Sequence, residues 1–214
     1  MDETGRLSFD EVTNWVRRFA GQIVANKVYL TELDSAIGDA DHGINMDRGF
    51  QAVIPKLDAF QGDDPGAACK LVGSTLISTV GGAGGPLYGS LFLQFGIALS
   101  GHETISLNDW LAGLDLGIAA IQRLGKAQAG DKTMLDTLMP ARDALKQGLA
   151  DGKSPREALL AASAAAEAGM KATIPIVARK GRASYLGERS AGHQDPGATS
   201  SCMLVRAAAD EWTA

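Results

Sequence analysis

Helix-start signals recur along this chain, and apolar residues follow them at three- and four-residue steps. Ser8–Glu11 and Ser154–Glu157 have the capping-box pattern, in which a serine and a glutamate satisfy backbone N–H groups at a helix start. Ser106–Asp109 is a similar signal with an acidic third position. Behind the first box, one helical face collects Phe9, Val12, Trp15, Val16, Phe19, Ile23 and Val24. The pattern predicts amphipathic helices.

Eight such helices are predicted, at about residues 9–27, 47–60, 64–79, 85–101, 106–124, 131–148, 154–173 and 199–213. The sixth is expected to bend or break near Pro140. Two strand-like apolar runs, 91–95 and 174–177, are too few to build a sheet. The predicted fold class is therefore all-α. We expect a single domain of residues 1–214, in which short connections favour antiparallel neighbours in an up-and-down bundle.

Charge and hydropathy exclude several classes of protein. A net charge of -5 over 214 residues gives no general attraction to nucleic acid or to an anionic membrane, so neither is expected as a partner. No apolar run reaches the length of a membrane span, and the acidic start Met1–Glu3 differs from a signal peptide, which predicts a cytoplasmic protein. Cys69 and Cys202 lie far apart in apolar surroundings and predict buried thiols.

The stretch 33–45 places three carboxylates and two glycines between helical patterns. A tight turn at Gly38 would bring Asp34, Asp39 and Asp41 to one point, where they repel unless a cation lies among them. Such hard oxygen ligands suit Mg²⁺, which completes its coordination with phosphate oxygens and water. The alternatives are a solvated acidic turn and a calcium loop. The EF-hand pattern fails because Ile44 stands where glycine is required.

Two connections carry further candidate ligand contacts. Residues 80–86 place four glycines directly before a helix start, which allows close backbone approach to an anion; the alternative is a flexible connection. They form neither a Walker A loop nor a dinucleotide fingerprint. In the connection 125–134, Met134 has the shape to lie against an adenine, and Lys126 or Lys132 to face phosphate. The alternative there is a solvated loop with an ordinary core methionine.

The longest non-helical stretch, 174–198, carries a local surplus of positive charge. Arg182 is suited to bidentate contacts with phosphate oxygens, and residues 195–197 form a turn into the last helix. Loops of this length inside compact domains are usually functional or disordered. The alternative is a basic surface loop.

Together these segments resemble the nucleotide-binding L subunit of dihydroxyacetone kinase, which is also the C-terminal kinase domain of single-chain, ATP-dependent members. The most specific motifs lie at residues 37–43, 130–134, 178–190 and 192–197, and the match covers essentially the whole chain. The resemblance implies a barrel of eight antiparallel helices with ADP or ATP at one end. It also implies that two Mg²⁺ ions bind the nucleotide's phosphates.

The resemblance also implies which residues form the site. Asp34, Asp39 and Asp41 match the family's metal ligands, and Arg182 is the candidate catalytic residue. The matching nucleotide contacts are His42, Gly43, Ile44, Asn45, Ala83, Gly84, Gly125, Met134, Arg182, Asp195, Pro196 and Gly197. The family often has serine where this chain has Gly84, so a hydroxyl contact to phosphate is absent here while a backbone N–H remains.

By the same resemblance, a separate K subunit holds dihydroxyacetone and supplies the base that activates its hydroxyl. Bound ADP is then rephosphorylated by the M subunit, a phosphohistidine protein of the phosphotransferase system. An alternative is an ATP-dependent split kinase for a triose or tetrulose. Two other functions stay open as hypotheses. One is a non-catalytic nucleotide-bound regulator that contacts a transcription factor, and the other is a magnesium-dependent phosphohydrolase.

Overall fold

The computed structural model describes residue 1 and residues 5–213. The prediction that rests on the acidic residues 2 and 3 therefore lies outside the described residues. Within them, the helices are α1 (Phe9–Ala25), α2 (Lys27–Ile37), α3 (His42–Asp58), α4 (Pro65–Thr79), α5 (Gly84–Ala98), α6 (Leu107–Gly125), α7 (Leu135–Ala150), α8 (Pro155–Ala172) and α9 (Pro196–Trp212). A 3₁₀ helix covers Arg182–Ser190, and two short strands, β1 (Arg6–Leu7) and β2 (Ile105–Ser106), pair antiparallel.

The capping signals form as the sequence predicts, although α7 begins at Leu135 rather than near 131 and α9 at Pro196 rather than near 199. Ser8, Ser106 and Ser154 each accept a hydrogen bond from the third helical residue, whose side chain bonds back to the serine N–H. Asp64 caps α4 ahead of Pro65 at the first helical position. α7 continues through Pro140, so the predicted break is absent. The fold class, an all-α barrel, is confirmed.

The region around residues 26–45 differs from the prediction. The first helix ends at Ala25, and α2 follows directly where a continuous helix and then a loop were expected. The side-chain amide of Asn26 donates to the Gln22 carbonyl, 2.8 Å away, at this junction. α2 buries only Leu30, Asp34 and Ile37, too narrow an apolar face to be recognised by periodicity. The acidic stretch is therefore the end of α2, a short turn and the start of α3.

Eight of the helices form a closed ring of neighbours. α1 packs against α3, and each helix from α3 to α9 packs against the next one in the chain. α9 returns to α1, which closes the ring, while α2 lies outside this order against α3 and α9. Neighbours that follow chain order are typical of an up-and-down barrel. The predicted eight-helix barrel is present, with α2 as an additional helix.

An aromatic cluster fills the inside of the ring. Trp15 lies 5.2 to 5.8 Å, between ring centroids, from four other buried aromatic rings, those of Phe92, Phe95, Trp110 and Trp212. Trp15 also donates its indole N–H to the Leu204 carbonyl, 3.0 Å away. Both cysteines are free and buried, as predicted. None of the described helices is long and apolar enough to cross a membrane.

α4 and α5 pack especially closely, which fixes the glycine loop that joins them. A Cβ at Gly73 would lie 2.7 Å from the Gly89 carbonyl oxygen, so larger residues would force the helices apart. The connection between the two helices spans residues 80–83 and reaches the end of the barrel where the acidic turn also lies. Helix packing thus places the two predicted ligand segments side by side.

Candidate functional site

A cavity opens at the end of the barrel where four connections converge. Its volume is about 180 Å³, below the roughly 300–1,000 Å³ of pockets that enclose a drug-sized ligand. A nucleotide would therefore be held partly in the cavity and partly on the surface beside it. The lining residues come from the segments 34–45, 80–88, 132–134, 180–183 and 195–197.

The three predicted carboxylates meet in this cavity. One oxygen from each of Asp34, Asp39 and Asp41 lies within 4.8 Å of the other two. Opposite ligands of an octahedral Mg²⁺ are roughly 4.2 Å apart, so small side-chain adjustments bring these oxygens to one ion. Their hard-oxygen chemistry also suits Mg²⁺. The residues present therefore fit the expected metal.

Backbone groups hold Asp34 in place. Its Oδ2 accepts hydrogen bonds from the N–H groups of Asp41 and His42, at 2.8 and 3.1 Å, at the start of α3. Its Oδ1 lies over Gly38, where a Cβ would approach it to 2.0 Å. Gly38 is therefore required for the carboxylate's position. Asp34 is buried, whereas Asp39 is exposed and Asp41 is half-buried.

Arg182 faces the acidic turn from the other side of the cavity. Its guanidinium lies 2.9 Å from Asp39 Oδ2. The 3₁₀ helix that carries Arg182 packs against α2, and Ile37 at the end of α2 forms one apolar cluster with Ala178, Ala183 and Leu186. A cation and three carboxylates thus border one cavity, an arrangement suited to a metal-bound anion such as a phosphate.

The glycine loop supplies backbone donors. Ala83 caps α5 without a side-chain hydrogen bond, which leaves N–H groups of the first helical turn open to a ligand. Gly82 has φ of +63°, a conformation that favours glycine. Arg48 fixes the floor of this loop, since it donates to Asn45 Oδ1 at 2.7 Å and to the Thr79 carbonyl at 2.9 Å.

The turn into α9 closes the remaining side of the cavity. Asp195 caps this helix, because its Oδ2 accepts from the Ala198 N–H at 2.6 Å. Burial raises the pKa of Asp195 to about 7, and the Asp136 carboxylate also raises it. Met134, which is almost fully buried, lines the adjoining wall. A Cβ at Gly197 would lie 3.7 Å from the Met134 backbone nitrogen, so the two segments are direct neighbours.

Comparison with known proteins identifies the family. Residues 36–210 match the model of the DAK2 domain. This chain belongs to the DAK2 domain family. The resemblance inferred from its motifs is therefore confirmed.

Related members of this family match nearly end to end. The chain is 44% identical over 200 residues to the PEP-dependent dihydroxyacetone kinase, ADP-binding subunit DhaL, of Escherichia coli strain K12, covering 94% of this chain and 95% of that protein. It is 41% identical over 198 residues to the PTS-dependent dihydroxyacetone kinase, ADP-binding subunit DhaL, of Lactococcus lactis strain IL1403, covering 92% of this chain and 95% of that protein.

A solved structure shares the fold. The dihydroxyacetone kinase of C. freundii, in complex with AMP-PNP and Mg²⁺, superposes with a TM-score of 0.71 at 27% identity. The match covers 93% of this chain and 33% of that one. The DAK2 domain described here therefore spans about a third of that longer protein.

Most, but not all, of the predicted site residues of this DAK2 domain line the cavity. Asp34, Asp39, Asp41, His42, Asn45, Ala83, Gly84, Met134, Arg182, Asp195, Pro196 and Gly197 do. Gly43 does not: it packs against α2, where a Cβ would lie 2.0 Å from the Lys27 carbonyl oxygen. Ile44 is 46% exposed, and Gly125 is exposed at the end of α6, near the lining residue Leu87. Ligand contacts for these three stay predictions.

The two lysines of the α6–α7 connection lie in different surroundings, and a phosphate contact by either one stays a prediction. Lys126 is exposed and lies outside the cavity lining. Lys132 is one of the cavity-lining residues, but it is 1% exposed, and its ammonium donates to backbone carbonyls of the long segment before α9. The sequence predicts a phosphate contact or a solvated loop here, because a charged residue in a glycine-rich connection gives no sign of burial.

A hydrogen-bonded network behind His42 was also missed. His42 Nε2 lies 2.9 Å from Ser200 Oγ, and the Tyr88 hydroxyl lies 2.6 Å from Ser200 Oγ and 3.0 Å from Ser201 Oγ. Burial lowers the pKa of His42, against the opposing effect of Asp34 and Asp41, and burial raises the pKa of Tyr88. One signal was available: Tyr88 follows Gly84 by four residues and so shares its helical face.

Proposed function

We propose that this chain is the ADP-binding phosphotransfer subunit of a dihydroxyacetone kinase. In this role it passes the nucleotide's terminal phosphate to dihydroxyacetone held by a separate K subunit. The observation that carries the proposal is the convergence of three carboxylates and Arg182 on one cavity, in a chain that matches named ADP-binding subunits nearly end to end. The solved relative with AMP-PNP and Mg²⁺ supports the same ligand class.

The proposed metal ligands are Asp34, Asp39 and Asp41. Two Mg²⁺ ions, when bound, would neutralise phosphate charge and orient the nucleotide. Asp34 is held by two backbone N–H groups that bond its Oδ2, which would leave Oδ1 as the proposed metal ligand. Asp39 would bind the metal and also pairs with Arg182, so the metal and the guanidinium would both border the terminal phosphate.

The remaining residues bind and orient the nucleotide. The backbone N–H groups at the start of α5 would contact phosphate oxygens, and Arg182 would stabilise charge on the transferred group. Met134 and Leu87 provide apolar wall for the adenine. Phosphoryl transfer asks a protein mainly for positioning and charge stabilisation, so this chain needs no nucleophile of its own. The K subunit would hold the triose and supply the base.

We further propose that bound ADP is rephosphorylated in place by a phosphohistidine protein of the phosphotransferase system, the M subunit. The chain is 41–45% identical to four relatives named as PEP- or PTS-dependent subunits, and 33–35% identical to four relatives named as other kinases of this kind. Four connections of the chain would contact the nucleotide, and contacts from that many segments favour slow release. Slow release suits a cofactor that stays bound.

The proposal includes a single domain and a cytoplasmic location. One apolar cluster receives residues from every helix from α1 to α9, which supports a single domain. The cytoplasmic location stays the prediction made from the sequence.

The deciding experiment separates the two phosphate donors. The chain is mixed with a K subunit and dihydroxyacetone, and receives either ATP alone or phosphoenolpyruvate with the phosphotransfer proteins. We expect multiple turnovers only with the phosphoenolpyruvate system. Sustained turnover with ATP alone would overturn the cofactor role and indicate an ATP-dependent split kinase. The Asp39→Ala chain is the inactive control, and an exposed carboxylate variant, Asp58→Ala, should match the wild type.

A further inference from the structure

Lys132 lies at the centre of a cage of backbone carbonyl groups. It belongs to the connection between α6 and α7, has φ of +65°, and is 1% exposed. Its Nζ is within hydrogen-bond distance of five carbonyl oxygens, those of Thr173 at 2.9 Å, Ile174 at 3.5 Å, Ile176 at 3.1 Å, Ser190 at 2.7 Å and His193 at 2.5 Å. All five acceptors lie in the segment between α8 and α9.

The chemistry of this contact is unusual for a lysine. Buried lysines are normally paired with a carboxylate, but within the described part of the chain no carboxylate oxygen lies within 4.0 Å of Lys132 Nζ. Burial lowers the pKa of the ammonium, and the more distant Asp195 carboxylate opposes that shift. Carbonyl oxygens accept from the protonated amine, whose three N–H donors are shared among five acceptors. The ammonium of Lys132 therefore provides hydrogen-bond donors for the carbonyl groups of residues 173–193.

The five carbonyl groups come from both ends of the segment between α8 and α9. Thr173 and Ile174 leave α8, while Ser190 and His193 precede α9, so one ammonium joins the start of the segment to its end. Irregular backbone has no regular partner for its carbonyls when it is buried, and an unpaired acceptor there is costly. A backbone hydrogen bond also joins the two ends of the segment, since the Gly192 N–H donates to the Ile174 carbonyl at 2.8 Å.

The same connection also touches the middle of the segment. The Arg179 N–H donates to the carbonyl of Asp131, the residue before Lys132, at 3.1 Å. The Ala178 N–H donates to Ser190 Oγ at 2.8 Å. Three residues after Arg179, the chain reaches Arg182, whose guanidinium pairs with Asp39 at the cavity. Lys132 and its neighbour Asp131 thus contact the segment both before and after Arg182.

We propose that Lys132 is a positioning residue that holds residues 173–193 so that Arg182 faces the phosphates of the bound nucleotide. The inference rests on the proposed function, because Arg182 has a phosphate to contact only if the cavity binds a nucleotide. Lys132 itself does not touch the ligand in this role; it acts through Arg182.

The first test compares two lysine variants. Lys132→Met keeps an unbranched side chain that is one atom shorter and removes the ammonium. Lys171→Met is the control, since Lys171 forms an exposed pair with Glu167 just before the segment. Affinity for ADP–Mg²⁺ is measured by calorimetry, and loop order by trypsin cleavage after Arg179, Lys180, Arg182 and Arg189. We expect Lys132→Met to lose at least about tenfold in affinity and to be cleaved faster at these sites. Wild-type affinity and cleavage rate in this variant would overturn the proposal.

A double-mutant cycle shows whether Lys132 acts through Arg182. Arg182→Ala is made alone and together with Lys132→Met. If Lys132 positions Arg182, the second substitution costs much less affinity in the Lys132→Met protein than in the wild type. Additive losses would mean that Lys132 supports only general stability, and would overturn the proposal.

Amine rescue covers the case in which Lys132→Met does not fold. Lys132→Ala leaves the carbonyl cage without its cation, and ammonium or methylammonium chloride is added, with tetramethylammonium chloride at equal ionic strength as control. Recovery of melting temperature and ADP–Mg²⁺ affinity with the small amines alone supports the proposal, and no recovery overturns it. The wild type separates the two claims: if it does not bind ADP–Mg²⁺, the proposed function fails, whereas a binding wild type with unaffected variants refutes only the role of Lys132.

Discussion

The guanidinium of Arg182 lies 2.9 Å from a carboxylate oxygen of Asp39. This pair joins the basic segment before α9 to the acidic turn between α2 and α3 across the candidate cavity. The side chains are 61% and 33% exposed, so solvent screens the pair and it adds little to folding stability. Its importance is positional, because it places a cation beside a proposed metal ligand, where both would border the phosphate proposed to bind here.

Replacing Arg182 with alanine is expected to affect metal and nucleotide in opposite directions. Without the competing guanidinium, Asp39 binds Mg²⁺ alone up to about fivefold more tightly, since exposed pairs are worth roughly 0.2–1 kcal/mol. ADP–Mg²⁺ binding weakens by about 1.5–3 kcal/mol, because a charged hydrogen bond to phosphate is lost. Calorimetric titrations with and without ADP measure both. Arg189→Ala, in the same 3₁₀ helix, should change neither, and a parallel loss of both affinities would contradict the account.

Much of this arrangement could be predicted from the sequence because it depends on local signals. Three caps and the apolar spacing located most of the ring helices, and the family motifs brought Asp34, Arg182 and the glycine loop to one site. α2 was missed because its buried face is only three residues wide. The role of Lys132 was missed because its five acceptors are backbone groups distant in the chain, and such groups leave no pattern in the residue types.

Asp34 is expected to have a structural role that the other two carboxylates lack. Asp34→Ala leaves the N–H groups of Asp41 and His42 without their acceptor and should lower the free energy of unfolding by about 1–3 kcal/mol in metal-free protein. Asp41→Ala should cost much less, because Asp41 makes no side-chain cap to α3. Urea denaturation measures both. Asp34→Asn, which keeps an acceptor, should recover stability while ADP–Mg²⁺ binding stays weak; equal destabilisation by Asp34→Ala and Asp41→Ala would refute this role.

Gly43→Ala tests whether Gly43 is needed for helix packing or for contact with the ligand. The new Cβ would lie 2.0 Å from the Lys27 carbonyl oxygen and 2.6 Å from Thr31 Oγ1, so α3 must shift from α2. We expect a loss of about 1–3 kcal/mol in the free energy of unfolding. Gly21→Ala is the control: among the described residues, no atom outside its own stretch of α1 lies within 4 Å of its Cβ position, and it should stabilise α1 by about 0.5–1 kcal/mol. Unchanged stability in Gly43→Ala, with weaker nucleotide binding, would instead favour direct ligand contact.

Stability should depend on pH through Asp195. Burial raises its folded-state pKa to about 7, above the unfolded value near 3.9, so the folded protein keeps a proton that the unfolded chain releases. Its contribution to stability is present below about pH 4 and is lost as the pH rises to about 7, at up to roughly 1.4 kcal/mol per pH unit.

Asp195→Asn separates this titration from the helix cap. Asparagine keeps an acceptor for the Ala198 N–H and does not titrate. Urea denaturation of metal-free protein between pH 4 and pH 7.5 should therefore show the variant gaining stability relative to the wild type as the pH rises. A difference that does not change with pH would refute the titration of Asp195.

The central claim is that Asp34, Asp39 and Asp41 hold the metal of a nucleotide bound in this cavity. The most direct measurement is calorimetric titration of ADP into the protein with Mg²⁺ and with EDTA, for the wild type, Asp39→Ala, Asp41→Ala and the exposed control Asp58→Ala. We expect the wild type and Asp58→Ala to bind ADP only with Mg²⁺, and each site variant to lose about 1.5–3 kcal/mol of binding free energy, on the scale of a lost contact between charged groups. Wild-type affinity in Asp39→Ala and Asp41→Ala would contradict the account.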